Sequence, residues 1–210
     1  MRAGATPELR RSPLLLGKKA YVIQPFRKLF RLTGLLFPAV YLWTSKEVTL
    51  AFALVLLILF LTLEGLRFRR AAVNEVLFRY GSVILREGER TRLTAITWFL
   101  LGALPAVLLF TRQVAVTAWL FFLFGDVAAE LVGTRWGRTR VLGKTLEGSL
   151  ACLATCFIVG LAAWAWLGMP WPAVVAGALA ATVIELLPLP MDDNFTVPLV
   201  AGLAMIPFTG

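Results

Sequence analysis

The chain has no histidine and only two cysteines among its 210 residues. Without histidine there is no imidazole metal ligand, no imidazole general base and no serine–histidine triad. Cys152 and Cys156 lie four residues apart in an apolar run, where one helical face carries both as small apolar side chains. No zinc or redox spacing accompanies them. Any chemistry therefore depends on Asp, Glu, Lys, Arg and hydroxyl groups.

Charged residues are also scarce, at 16% of the chain, whereas 59% of the residues are hydrophobic. This composition excludes a disordered chain, a collagen and a basic nucleic-acid-binding domain. It predicts an all-α, polytopic integral membrane protein built as a helical bundle. No apolar core with a small-residue cleavage site follows the first basic residues, so we expect no removable signal peptide.

Seven apolar runs approach the length of about 20 residues that a membrane-spanning helix needs. The first and last are short, which a tilted helix or a thin bilayer accommodates. The runs cover residues 32–43, 48–66, 93–110, 113–133, 148–169, 171–187 and 195–208.

The basic residues test this division, because Lys and Arg collect on the cytoplasmic side of a membrane protein. Nearly all of them precede the first run or fall in 67–92 and 135–144, whereas only Lys46 and Arg112 fall on the other side. We therefore expect a cytoplasmic N-terminus and, after seven crossings, a C-terminus outside. The formal charge of +9 then reflects orientation and anionic lipids, with no nucleic acid as partner.

This topology divides the chain into three parts. Residues 1–31 form a basic cytoplasmic segment, residues 32–112 the N-terminal membrane helices, and residues 113–210 the catalytic helices with cytoplasmic loops at 134–147 and 188–194. Within the second part, residues 67–92 form an amphipathic connector on the membrane surface. Two roles stay open for it: a solvated face that fixes the topology, or a cover over an active site.

Acidic residues inside or at the ends of apolar runs are the first functional signal, since a bare charge there costs about 2.5–3.5 kcal/mol on insertion scales. Asp126 and Glu130 lie four residues apart near the cytoplasmic end of the fourth run. Both carboxylates project from one helical face, where they repel each other unless a cation lies beside them.

The loop after Glu130 is rich in glycine and in basic residues and then enters a helix near Thr145. Glycines let backbone amides approach an oxyanion, cations neutralise it, and a helix N-terminus adds its dipole. The pattern predicts a phosphate cradle, with an ordinary flexible basic loop as the alternative. It lacks the Walker spacing of a P-loop. The residues are Gly133, Gly137, Gly143, Gly148, Arg135, Arg138, Arg140 and Lys144.

A third cluster follows the sixth run. Glu185 lies near the end of that run, two prolines stop the helix, and Asp192, Asp193 and Asn194 occupy the connection. Carboxylate and amide oxygens are ligands that Mg²⁺ prefers, usually shared with substrate phosphates. In the alternative interpretation, Asp192 and Asp193 only cap the last helix.

All three clusters fall on the cytoplasmic side, so one pocket can gather them. Acids, cations, glycines and an amide together indicate a metal ion with a polyphosphate, and phosphoryl transfer needs little else. The apolar walls of such a pocket would admit a hydrophobic alcohol.

Five segments resemble the membrane-embedded CTP-dependent lipid kinase family, which includes dolichol kinase, phytol kinase and the yeast-type diacylglycerol kinase. Phytol kinase is the most similar member, through the pattern of Glu185, Pro188, Asp192, Asp193, Asn194, Val197 and Pro198. The phosphatidate cytidylyltransferases are related, but their extended Gly- and Asp-rich ending is absent, which favours a kinase. Arg31 stands where the family commonly has histidine. The segments are "FRKLFRLTG", "LREGERTRLT", "GDVAAELVGTRWG", "GKTLEGSLA" and "IELLPLPMDDNFTVPL".

The resemblance implies a role for each matching residue. Asp126 would hold Mg²⁺, with Glu130, Glu185, Asp192 and Asp193 as further metal ligands. The catalytic residues would be Asp126, Lys144, Glu147, Glu185 and Asp193, with the general base left open among Asp126, Glu185 and Asp193. The CTP-binding residues would be Gly125, Gly133, Gly137, Arg138, Gly143, Lys144, Thr145, Gly148 and Asn194.

The sequence thus predicts transfer of the terminal phosphate of CTP to a lipid alcohol such as phytol, a polyprenol, dolichol or diacylglycerol. CTP as the donor comes from the resemblance alone. CDP-lipid synthesis and membrane transport are the alternatives. The predicted setting is a prokaryotic inner membrane with the active site facing the cytoplasm. The oligomeric state, a homodimer included, stays open.

Overall fold

The computed structural model describes residues 32–81, 85 and 87–209 of the chain. The basic segment 1–31, with Arg31, lies outside the described residues, as do Val83, Ile84 and Arg86 of the connector. Apart from one short hairpin, the described secondary structure is helical. The predicted all-α class is therefore confirmed.

The helices begin after a 3₁₀ turn at Leu32–Leu35. In chain order they are α1 Leu36–Trp43, α2 Lys46–Arg69, α3 Ala71–Tyr80, α4 Ala95–Leu109, α5 Arg112–Trp136, α6 Leu146–Leu167, α7 Trp171–Leu186 and α8 Asp193–Met205. Short 3₁₀ turns cover Glu87–Thr91 and Ile206–Phe208, and a hairpin of β1 Arg140–Val141 and β2 Lys144–Thr145 joins α5 to α6.

Each of the seven predicted apolar runs contains a helix. Within the described residues, three helices, α2, α5 and α6, are long and apolar enough to cross a membrane. The other four apolar helices are shorter, and with their adjoining 3₁₀ turns included they have 10–17 residues each. A membrane protein is thus supported by three helices, whereas seven crossings and their orientation stay predictions.

Contacts between helix ends show which ends lie together. The Lys46 ammonium donates to the Leu108 carbonyl at 3.0 Å, so the start of α2 lies beside the end of α4. The rings of Trp98 and Phe195 lie 5.9 Å apart, which brings together the starts of α4 and α8. Successive apolar helices therefore alternate in direction. We call the end that holds Phe195 the cleft end and the other the far end.

Helix α5 is the centre of the bundle. In its most apolar segment 61% of the residues are buried, against 22% in α2 and in α6. Trp119 is fully buried and packs edge-on against Phe37, with the ring centroids 4.9 Å apart. Helices α6, α7 and α8 pack against the other side of α5. The residues that follow Trp119 toward the cleft end therefore lie within the bundle.

A buried polar cluster fixes the connector to the bundle. Glu64 at the end of α2 accepts hydrogen bonds from Arg67 Nε at 2.5 Å, from the Thr94 backbone at 2.9 Å and from the Thr97 hydroxyl at 3.0 Å. Arg67 in turn donates to the Glu89 carbonyl at 2.8 Å. Both charged side chains are buried. Sequence analysis did not single out Glu64, although a carboxylate within an apolar run was a usable signal.

Candidate active site

A cleft of about 530 Å³ opens at the cleft end between α5, the hairpin, α6, α7 and the start of α8. Most of the predicted site residues line it. These are Asp126, Glu130, Gly133, Gly137, Lys144, Thr145, Gly148, Glu185 and Asp193. Ala129, Thr134, Arg140 and Ser149 complete the lining. Members of all three sequence clusters therefore lie around one cleft.

Helix α5 contributes one face to the cleft. Asp126, Glu130 and Gly133 recur at spacings of four and three residues, so they stack along one side of the helix. Both carboxyl groups are half-buried. The face predicted to carry two acids therefore borders the cleft.

The basic loop between α5 and α6 contains the hairpin and is therefore regular in part. Arg140 pairs with Thr145 and Val141 with Lys144, and the two turn residues, Leu142 and Gly143, both have positive φ angles, at 50° and 88°. Two successive positive φ angles are typical of a type I′ turn, whose twist suits antiparallel strands. Gly143 thus shapes the turn, and the strands place Arg140 and Lys144 in the cleft wall.

Glu147 supports the hairpin from outside the lining. Its carboxylate accepts the backbone N–H of Thr139 at 3.1 Å and 3.2 Å. The Leu146 N–H donates to the Thr139 carbonyl at 2.9 Å, which closes the base of the hairpin. The structure therefore gives Glu147 a supporting position, while its predicted catalytic role stays a prediction.

Lys144 links the hairpin to α7 and α8. Its ammonium lies 3.0 Å from Glu185 Oε1 and 3.0 Å from Asp193 Oδ2, and it also donates to the Glu185 carbonyl. Partial burial alone would lower the pKa of Lys144, but the carboxylates of Asp193 and Glu185 outweigh it and raise that pKa above its usual value. Lys144 therefore stays a cation in the cleft at neutral pH.

Glycines allow the close approach of α5 and α6 beside the cleft. A Cβ on Gly133 would lie 2.5 Å from Thr145 Oγ1, and a Cβ on Gly148 would lie 2.8 Å from the Ala129 carbonyl oxygen. Thr145 caps α6 by accepting the Gly148 N–H at 3.3 Å. The N-terminus of α6, with its positive dipole end, is thereby held against the cleft.

The connection before α8 divides the predicted acidic pair. Asp193 lines the cleft, whereas Asp192 caps α8 by accepting the Asn194 N–H at 2.9 Å and also accepts from the Asn194 side-chain amide. The structure does not bring Asp192 and Asn194 into the lining. For Asp192 it bears out the capping alternative.

Two further predicted residues lie elsewhere. Gly125 faces the cysteines, where a Cβ would come 2.9 Å from Cys152 Sγ, so it serves the packing of α5 on α6. Arg138 is exposed before the hairpin and is absent from the lining, where Arg140 stands instead. Thr134 and Ser149 line the cleft without having been predicted, because a Thr or Ser near a helix end is ordinary and its letter carries no signal.

Two polar atoms in the cleft wall have unmet hydrogen-bonding capacity. Glu185 Oε2 and Ser149 Oγ are buried and find no partner among the described residues. Glu185 is 6% exposed and Ser149 5%. A buried unsatisfied polar group costs about 1–3 kcal/mol, and in a native cleft it marks a place where a ligand can bind.

The carboxylates that line the cleft have the charge and the oxygen ligands that a divalent cation requires. Four carboxylates in the lining face two cations, Arg140 and Lys144, and carboxylate oxygens are the hard ligands of Mg²⁺. In the described part of the chain, no group of three or more Cys, Asp or Glu side chains is already assembled around one metal position. This donor set fits an ion that takes one or two carboxylates and completes its shell with substrate phosphates and water.

The chain matches no known family profile and no solved structure. It is 27% identical over 183 residues to the uncharacterized protein RP860 of Rickettsia prowazekii (strain Madrid E), an alignment that covers 82% of this chain and 88% of the relative. The similarity therefore extends across most of both proteins. Because this relative is uncharacterized, the similarity does not indicate an activity.

Proposed function

We propose that the protein is a membrane-embedded lipid-alcohol kinase that transfers the terminal phosphate of CTP to a prenol-type or glyceride hydroxyl. The observation that carries this proposal is the cleft, in which Lys144 and Arg140, a glycine-flanked hairpin and four carboxylates lie together at one end of an apolar bundle. Few reactions besides phosphoryl transfer use this combination.

The phosphate end of the nucleotide would bind along the hairpin and the start of α6. Lys144 and Arg140 would neutralise phosphate oxygens, and the N-terminal amides and dipole of α6 favour an anion at the same wall. Gly148 lets α6 lie close to α5 beside that wall, since any side chain there would meet Ala129 and Thr145. The choice of CTP over ATP rests on the family resemblance.

One or two of the carboxylates of Asp126, Glu130 and Asp193 would hold Mg²⁺, with substrate phosphates and water completing its shell. Bound there, the ion would draw negative charge from the transferred phosphoryl group and hold the phosphates in line for attack. Lys144 pairs with both Asp193 and Glu185. Its ammonium would also donate to phosphate oxygens of the bound nucleotide, which leaves a carboxylate oxygen of Asp193 for a metal ion.

The second substrate would reach the cleft from the bilayer. Leu146, Leu150 and Val183 are apolar and exposed on the helices that form the cleft wall. An alcohol with a long hydrocarbon tail can leave that tail in lipid and bring only its hydroxyl to the polar site. With the N-terminus inside and seven crossings, this site would face the cytoplasm, where CTP is available.

The deciding experiment is transfer of labelled phosphate from CTP, and separately from ATP, to phytol, geranylgeraniol, a polyprenol and diacylglycerol in detergent with Mg²⁺. We expect a labelled lipid from CTP. Asp126→Asn should lower the rate by at least about 100-fold, because an in-line transfer without its metal ligand loses most of its charge stabilisation. Glu75→Gln, which neutralises an exposed carboxylate outside the cleft, is the matched control and should keep full activity.

Failure of every alcohol to accept phosphate would refute the kinase function. Release of pyrophosphate with phosphatidate would instead identify CDP-lipid synthesis. Solute flux into vesicles without nucleotide would identify a transporter.

A further inference from the structure

We propose that Ser149 and Glu185 form the subsite that receives the acceptor hydroxyl, with Ser149 Oγ donating to the hydroxyl oxygen and Glu185 Oε2 accepting its proton. This assignment rests on the proposed function and deepens it, because it names the residues that bind the alcohol. Both residues are more than nine-tenths buried, and both line the cleft.

The packing of α6 on α7 places these two residues opposite each other. One turn deeper, Thr182 Oγ1 lies 3.8 Å from Cys152 Sγ, which fixes the register of the two antiparallel helices. Ser149 precedes Cys152 by three residues, and Glu185 follows Thr182 by three. Both steps lead toward the cleft end on the facing sides of the helices. Cys152 and Thr182 therefore lie about one helical turn beyond the subsite, toward the far end.

The two atoms without hydrogen-bond partners, Ser149 Oγ and Glu185 Oε2, indicate which kind of ligand can bind. Glu185 Oε1 is taken by Lys144 at 3.0 Å, so only Oε2 is left to accept a hydrogen bond. A serine hydroxyl can donate one hydrogen bond and accept others. A neutral alcohol fits both atoms, because its hydroxyl donates to a carboxylate and accepts from a hydroxyl. A phosphate would meet the Glu185 carboxylate as a like charge, and an ether cannot donate.

The neighbouring side chains favour an alcohol that carries a long apolar tail. Leu150 follows Ser149 directly and is 56% exposed, and Val183 lies two residues before Glu185 and is 53% exposed. The hydroxyl subsite thus lies one or two residues from the apolar outer surface of the same helices. A hydrocarbon chain can run over that surface while its terminal hydroxyl lies between the two polar groups.

The subsite gives a balanced transfer step. The alcohol oxygen forms a bond to the terminal phosphorus of CTP as the bond from that phosphorus to its bridging oxygen breaks. CDP leaves with the bridging oxygen, and the alcohol proton passes to Glu185 Oε2 and then to solvent. Lys144, bonded to Oε1, holds the carboxylate in place throughout.

The test compares a lipid alcohol with its methyl ether in the absence of nucleotide. Labelled geranylgeraniol and geranylgeranyl methyl ether are bound to the full-length protein in detergent. The wild type should prefer the alcohol by about tenfold, the factor expected from hydrogen bonds that only a hydroxyl completes. Glu185→Gln should remove most of this preference, because the side-chain amide would turn an N–H toward the ligand in place of the accepting Oε2. Ser149→Ala should weaken the binding of both ligands, since an ether oxygen accepts from Ser149 as a hydroxyl oxygen does. Thr117→Val is the matched control, because Thr117 Oγ1 is also buried without a partner among the described residues but lies in α5 away from the cleft.

Each outcome decides the matter separately from the kinase assay. Equal binding of alcohol and ether by the wild type, or a preference that survives Glu185→Gln together with unchanged binding in Ser149→Ala, overturns the subsite even if phosphate transfer is observed. Loss of the preference in Glu185→Gln and weaker binding of both ligands in Ser149→Ala, with neither change in Thr117→Val, supports it even if no nucleotide serves as donor. Because the variants alter different helices, misfolding of one leaves the other as the test.

Discussion

Lys144 is the residue on which the charge balance of the cleft depends. Its ammonium is shared between two carboxylates on different helices, and both lie 3.0 Å away. Without it, Glu185 and Asp193 would face each other as like charges. The sequence made Lys144 a candidate through its glycine-rich surroundings, but its two partners, 41 and 49 residues away, depend on the packing of α7 and α8.

Ser149, unlike Lys144, could not be predicted as a site residue from the sequence. A serine in the first turns of a helix usually satisfies backbone groups or faces solvent, so its identity predicts nothing. Only burial, together with an unmet hydrogen bond, sets Ser149 apart. Asp192 and Asp193 are likewise equal in the sequence, and the geometry of the α8 cap separates them.

Gly148→Ala tests the close approach of α5 and α6. A methyl group at this position would lie 2.8 Å from both the Ala129 carbonyl oxygen and Thr145 Oγ1, so the helices have to separate. We expect a loss of about 1–3 kcal/mol in the free energy of unfolding, as for other overpacked sites, together with weaker nucleotide binding. Unfolding in mixed micelles and binding of labelled CTP measure the two effects.

Gly65→Ala is the control for this change, because no atom lies within 4 Å of a Cβ at Gly65. Within a helix such as α2, alanine is a better helix former than glycine, so stability should stay equal or rise by up to about 1 kcal/mol. Equal effects of the two substitutions would show that the contact at Gly148 does not constrain the helices.

At the level of elements, the helices could be predicted from the sequence, whereas the hairpin and the buried polar cluster could not. Apolar runs of this length specify helices through burial alone, so each of the seven runs contains one. The hairpin was not predicted, because its turn, Leu142–Gly143, lacks the Asn-Gly pair that marks a type I′ turn. In addition, Leu142 has a φ of 50°, a backbone conformation that leucine rarely adopts. The Glu64–Arg67 cluster depends on residues up to 33 positions away, such as Thr97.

Arg67→Leu tests whether this cluster holds the connector to the bundle. The change leaves Glu64 buried with its charge unmatched and removes the donor to the Glu89 carbonyl. Breaking a buried ion pair from one side destabilises by about 3–5 kcal/mol, so we expect a loss of that size in the free energy of unfolding.

The double variant Glu64→Gln with Arg67→Leu separates charge from packing. Removing the unmatched carboxylate should recover part of the loss, since Gln can still accept from Thr94 and Thr97. Strictly additive losses in the two single variants and the double variant would mean that the pair is not coupled. Unfolding curves of the four proteins in the same micelles provide the comparison.

Across the whole molecule, charge is sorted between the two ends of the bundle. At the far end Lys46 donates to the Leu108 carbonyl at 3.0 Å and Arg112 to the Thr44 carbonyl at 2.8 Å. Each of these cations satisfies a carbonyl at the end of a neighbouring helix, which explains two basic residues on the side where few are expected. The remaining described basic residues lie at the cleft end or in the connector.

This sorting leads to a prediction about orientation that single cysteines can test. The native Cys152 and Cys156 are 2% and 0% exposed, so their background reaction with a membrane-impermeant maleimide should be low. Arg138 and Leu189 are exposed at the cleft end, whereas Gln113 is exposed at the far end.

In intact bacterial spheroplasts Gln113→Cys should react with the maleimide without permeabilisation. Arg138→Cys and Leu189→Cys should react only after permeabilisation, because the positive-inside rule puts their end in the cytoplasm. The reverse pattern would invert the topology and move the cleft away from cytoplasmic CTP. Labelling of all three positions in intact cells would mean that the helices between them do not each cross the membrane.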